Sequence, residues 1–174
     1  MSRAFLKDDA VQDAVLIPPR APLAPGAVNY VTARGLGLLR AELESLEAER
    51  SRLMARTGPR QGVDADRTRD LTVVNGRIKL VESRIGSARI VDPADQPPNE
   101  VRFGATVTVR TVNTGLERRF TLVGVDEADP SEGRIAFTAP IARAVLGLSV
   151  GASVPFRTAS GEETLVVGEI VYGS

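Results

Sequence analysis

Asp64, Asp66 and Asp70 stand close together in a chain with neither histidine nor cysteine, so carboxylates, amines and hydroxyls are its whole chemical repertoire. Thiolate chemistry, disulfides, the usual zinc sites and Ser-His or Cys-His nucleophile pairs are thereby excluded. On a regular helix Asp64 and Asp66 diverge by roughly 200°, and only an irregular backbone could turn both toward one ion. The plainer role for either is to cap a helix and favour its positive N-terminal end. A second acidic group, Asp126, Glu127 and Asp129, precedes Pro130 and reads by itself as an acidic turn. Pro140 to Arg143 reads by itself as the start of a short helix.

The tip aspartates need an element that presents them, and the aliphatic pattern supplies it. Leu36, Leu39, Leu43, Leu46 and Leu53, interrupted by Arg50, step by threes and fours, as do Leu71, Val74, Ile78, Val81, Ile85 and Ala88. That is the seam spacing of a two-stranded coiled coil. The intervening Thr57-Gly58-Pro59-Arg60-Gln61-Gly62-Val63 is short enough to force antiparallel neighbours. The first arm is expected over 32–56, with Thr32 as N-cap, and the second over 66–88. Each arm then reaches about 35 Å at 1.5 Å per residue. Arg50 either pairs across the hairpin or lays its stem along it and points outward, the second being favoured.

Four prolines, Pro18, Pro19, Pro22 and Pro25, mark residues 1–30 as an extended or mobile leader. Asp92-Pro93 and Gln96-Pro97-Pro98-Asn99 mark a linker over 92–100. Beyond it the period changes to two, giving strands at 105–112, 118–125, 134–137, 153–157 and 164–172 and one helix at 140–146. The expected class is α+β: an N-terminal antiparallel coiled-coil hairpin over 31–91, then an antiparallel sheet domain over 101–174 with one short helix. The 174 residues, 43% hydrophobic and 25% charged, suffice for a buried core. No apolar stretch reaches the roughly 20 residues of a membrane span, and the first residues lack a signal-peptide core, so a cytoplasmic protein is expected. Residues 33–88 carry 11 basic and 8 acidic side chains, and residues 89–174 the reverse. That mild asymmetry is unlike the footprint of an independent DNA-binding surface.

Several stretches together resemble the GreA/GreB family of bacterial transcript-cleavage factors. They are Val31-Thr32-Ala33-Arg34-Gly35-Leu36, Gly76-Arg77-Ile78-Lys79, Ala88-Arg89-Ile90-Val91-Asp92 and Phe103-Gly104-Ala105-Thr106-Val107-Thr108-Val109. Val123-Gly124-Val125-Asp126-Glu127-Ala128-Asp129, Pro140-Ile141-Ala142-Arg143-Ala144-Val145-Leu146-Gly147 and Ile170-Val171-Tyr172 complete the series. The resemblance covers about 31–174 and leaves only the leader outside. It implies an FKBP-like C-terminal domain that docks on the rim of the RNA polymerase secondary channel, while the hairpin threads toward the active site. Asp126, Glu127, Asp129, Pro140, Ile141, Ala142 and Arg143 would then form the docking surface. It also implies that tip carboxylates, here Asp64 and Asp66, help the polymerase hold a second Mg²⁺, with no cofactor of the chain's own. The partner would be bacterial RNA polymerase, with only indirect contact to nascent RNA. The chain itself would be a monomer and at most an accessory to RNA cleavage.

Three departures qualify that pattern. Ala139 stands where the family commonly has serine. The tip carboxylates are two residues apart rather than three, with Arg67 beside them and no Glu-Asn pair following. The hairpin is about nine residues shorter, roughly 5–7 Å less reach. A homologue that occludes the channel and inhibits transcription is therefore the alternative. Two further classes are weaker. A peptidyl-prolyl isomerase would need an aromatic pocket, for which residues beyond 100 offer only Phe103, Phe120, Phe137, Phe156 and Tyr172. A dimerising coiled coil would need an apolar stripe beyond the seam that the hairpin already uses.

Overall fold

A computed structural model describes residues 15–56 and 61–173. The hairpin comprises α1 (Ala33–Ala55) and α2 (Gln61–Gly86). The Thr32 side chain caps α1 by accepting from the Gly35 amide, as expected, which satisfies one of the donors a helix start leaves open. Leu39, Leu46 and Leu53 of α1 meet Val74, Ile78 and Val81 of α2 in one buried cluster, with Leu43, Leu71 and Ile85 half-buried against it. The seam read from the sequence is therefore the hairpin's core. Arg50 points outward and sits 3.9 Å from Glu47 on its own helix. Ala88 leaves the seam, because the chain turns into a strand there. The expected start of the second arm near Asp66 falls five residues late. Glycine and aspartate read as breakers, yet an acidic residue in the first turn of a helix interacts favourably with its positive end.

The base of the hairpin holds two strands that the periodicity does not reveal. β1 (Asn29–Val31) and β2 (Ala88–Ile90) pair in parallel, Tyr30 opposite Arg89. A parallel pair cannot be closed by a tight turn, and here the whole hairpin serves as its crossover. Asn29, 4% exposed, donates from Nδ2 to the Arg84 carbonyl at 2.8 Å and to Ser87 Oγ at 3.1 Å, closing the C-terminal end of α2. Residues 15–28 run along this base without regular structure and enter β1 through a turn at Pro25-Gly26, where Gly26 has φ +77°. They make specific contacts with both arms and with the loop after β4.

The sheet domain contains β3 (Ala105–Thr111), β4 (Glu117–Val123), β5 (Arg134–Ala136), β6 (Ser153–Thr158) and β7 (Gly161–Tyr172), ordered β5-β4-β3-β7-β6. Alternate residues of central β3 are buried, so Ala105, Val107 and Val109 face one core with Val101, Phe120, Leu122 and Val167. The short helix α3 (Pro140–Val145) covers that core through Ala142 and Val145. The register slips at Thr108/Val109, where Gly168 of β7 is the extra residue of a bulge. Tyr172 fixes the end of β7 to the linker: its hydroxyl donates to the Glu100 carbonyl at 2.5 Å and accepts from the Arg102 amide at 2.9 Å.

The expectation of an antiparallel sheet needs one correction, since β5 pairs with β4 in parallel. After β4 the chain passes beneath the hairpin base and folds back through a 3-10 turn at Pro130–Glu132 before re-entering the sheet. Among the described residues no helix is long and apolar enough to cross a membrane. Leu39, 1% exposed toward the base of the seam, gives a direct check on the hairpin. Leu39→Ala should lower the unfolding free energy by about 2–5 kcal/mol in urea titration followed by helical circular dichroism.

Candidate functional site

At the tip, Asp64 lies in the first turn of α2 and Asp66 and Asp70 follow in continuous helix. The carboxylates of Asp64 and Asp66 thus diverge by roughly 200° around the axis. Asp64 is also engaged: Arg67 Nη2 lies 3.1 Å from its carboxylate. Arg67 Nη1 in turn donates to the Arg56 carbonyl at 2.8 Å, the C-cap of α1, so one guanidinium links both arms. Among the described residues no three or more carboxylates gather as metal ligands. As placed here, Asp64 and Asp66 do not fit a single Mg²⁺ as a pair of ligands, and no step through that ion follows from their geometry. The loop residues between the arms, 57–60, lie outside the described residues.

The expected docking set divides. Asp126 and Glu127 face inward, with side chains 6% and 4% exposed. Arg20 Nε and Nη2 reach Asp126 Oδ1 at 3.0 and 2.8 Å, and Arg20 Nη1 reaches both Glu42 carboxylate oxygens at 2.9 Å. Arg84 Nε lies 3.2 Å from Asp126 Oδ2 as an ion pair, off-line for a hydrogen bond. Burial disfavours the charge on Arg20, but the hydrogen bonds with Glu42 and Asp126 outweigh it and raise its pKa. Glu127 pairs with Arg134 at 3.3 Å and accepts from the Thr32 hydroxyl. The cap of α1 therefore also grips the sheet domain. Gly35 leaves the room, because a Cβ there would stand 2.7 Å from Glu127 Oε2.

Aromatic contacts complete this junction. Tyr30, Phe103 and Phe137 form a triangle with ring centroids 5.5 to 5.7 Å apart. Gly124 lets the backbone of β1 close in, since a Cβ there would meet the Tyr30 carbonyl at 2.7 Å. With Phe120 in the core and Tyr172 tied to the linker, the aromatic residues beyond 100 are largely spent on structure, which leaves little from which to line an isomerase pocket.

The remaining docking candidates divide again. Asp129, Pro140 and Arg143 are exposed, Ile141 is half-buried, and Ala142 is a fully buried core residue. Ala139 precedes α3 without a side-chain cap, as its methyl group requires. Asp129 caps the 3-10 turn, accepting from Ser131 Oγ at 2.5 Å and from the Ser131 amide at 3.0 Å. Those bonds stabilise the charged form and hold its pKa below the ordinary aspartate value.

Arg20 and Arg84 are the functional surprises. Arg20 had a sequence signal, being the only charged residue between Asp13 and Arg34 in a proline-rich apolar stretch. Arg84 had none, as one of several arginines on α2.

Two outcomes follow from these contacts. Thr32→Val removes a helix cap and leaves a buried carboxylate oxygen short of a donor, so it should cost about 2–4 kcal/mol in urea unfolding, while Thr32→Ser should retain most of the stability. Ser131→Ala should raise the Asp129 pKa toward its ordinary value in a carboxyl NMR titration. In the parent chain the stabilisation from Asp129 is present above the unfolded-state pKa and is lost as pH falls through the lower folded value.

A sequence profile described as "Transcription elongation factor, GreA/GreB, C-term" matches residues 96–172. The transcription elongation factor GreA of Hyphomonas neptunium is 32% identical over 151 residues, covering 82% of this chain and 96% of that protein. That of Chloroflexus aggregans is 34% identical over 148 residues, covering 80% and 94%. A solved GreA/GreB factor from Nitrosomonas europaea aligns at 23% identity and a TM-score of 0.41, covering 84% of this chain and 99% of its own. With full-length relatives above 30% identity, a profile match over the sheet domain and the coiled-coil hairpin ahead of it, the chain belongs to the GreA/GreB family of transcription elongation factors.

Proposed function

We propose that this chain binds bacterial RNA polymerase at the rim of the secondary channel and inserts its hairpin toward the active site, acting mainly by occupying the channel. Family membership supports the partner, and the helical arms of 23 and 26 residues, about 35–39 Å long, support insertion. The observation that carries occupancy over metal assistance is the tip: Asp64 is paired with Arg67 while Asp66 points elsewhere around a continuous helix. Two-metal hydrolysis needs carboxylates converging on one ion. A tip whose Asp64 is already paired with Arg67 fills space without adding a ligand set.

On this reading the chain is not an enzyme. It works as a cytoplasmic monomer on the polymerase, and contact with nascent RNA is indirect. The docking face is the exposed part of the sheet domain around Asp129, Pro140 and Arg143, with Ile141 at its edge. Asp126 and Glu127 support that face from within by holding the loop that carries Asp129.

The test uses deliberately backtracked elongation complexes of the cognate polymerase. Adding the protein should slow nucleotide addition without shortening the RNA, and Asp64→Ala/Asp66→Ala should behave like the parent. Cleavage that the double variant loses would overturn occupancy in favour of metal assistance. Arg143→Glu should weaken polymerase binding at least several-fold in a pull-down; unchanged binding would place the docking face elsewhere.

A further inference from the structure

We infer that residues 15–28 are a strap that fixes the direction in which the hairpin leaves the sheet domain, with Arg20 as its clasp. Arg20 joins a hairpin arm to the loop after β4: its guanidinium holds Glu42 of α1 and Asp126 at once, at 2.8 to 3.0 Å. Two further contacts seat the segment on the other arm. Arg84 of α2 donates to the Ala21 carbonyl. Ile17 lies in a notch over Gly76, where the Cβ of any other residue would collide with the isoleucine side chain. A glycine inside a helix costs about 1 kcal/mol relative to alanine, and here the space it leaves is filled by the strap.

The geometry accounts for a clasp rather than a decoration. Asp126 is buried, so losing Arg20 leaves Arg84 as its one cationic partner among the described residues, off-line for a hydrogen bond. Arm and sheet domain then keep the β1–β2 base, the aromatic triangle, the Thr32–Glu127 bond and the Arg34–Glu132 and Arg84–Asp126 ion pairs, all at the ends of the arms near the pivot, while the contact farther up α1, at Glu42, is gone. The hairpin should swing.

This inference does not rest on polymerase binding, and its test uses the free protein. Because the chain has no cysteine, Ser51→Cys on α1 and Glu117→Cys on β4 give two defined spin-label sites. Electron-electron double resonance should report one narrow distance distribution in the full-length protein. Arg20→Ala should broaden or shift it while far-ultraviolet circular dichroism stays unchanged. Should Arg20→Ala lose helical signal, Gly76→Ala decides: it removes the seat of Ile17 and strengthens α2, so helicity should hold or rise while the distribution still broadens. A folded Arg20→Ala, or in its place a folded Gly76→Ala, with the parent's narrow distribution would overturn the strap.

Discussion

Two adjacent buried carboxylates, Asp126 and Glu127, set the terms for the rest of the molecule. Taking an ion out of water costs several kcal/mol, and that cost is recovered only with charge partners and hydrogen bonds in good geometry. Those partners come from four segments far apart in the chain: Arg20 ahead of β1, Thr32 at the start of α1, Arg84 at the end of α2 and Arg134 in β5. None of the four segments can settle correctly without the others. A buried ionic cluster is often no more stabilising than an apolar one of the same volume, whereas removing one partner from it costs several kcal/mol.

That demand explains what could be seen in the residues and what could not. The hairpin was legible because seven-residue spacing is a local property, and burial of Leu39, Leu46, Val74 and Val81 follows from it. The strands were legible within a residue or two at most ends, because alternation is local as well. Direction and burial are not. A three-residue strand such as β5 takes its orientation from the loop before it, and the loop bends to serve Asp126 and Glu127. An acidic turn reads the same whether it faces water or an arginine more than a hundred positions away. The paired strands β1 and β2 went unseen for the same reason: each is too short for a period, and each is defined only by the other.

The molecule separates what it presents from what it consumes. At the base, arginines and carboxylates neutralise one another inside the protein, and a threonine hydroxyl serves both as helix cap and as donor to the sheet domain. At the tip, Arg67 spends one face on Asp64 and another on the last carbonyl of the opposite arm. Of the exposed groups on the sheet domain, Asp129 caps a 3-10 turn that opens with Pro130, and Pro140 and Arg143 lie on α3, which opens with proline and has no side-chain cap.

The parallel pairing of β1 with β2 also orders the events of folding. Asn29 and Ala88 can become neighbours only after the arms between them have zipped together, since closing so long a loop in a disordered chain is entropically unfavourable. Residues 15–28 precede both arms and the sheet domain in the chain, so they have no seat until α2 exists and no counter-ion in Asp126 until the sheet domain has followed. A segment that comes before its own binding surfaces in the chain is therefore among the last to find its place, and it closes the structure from the outside.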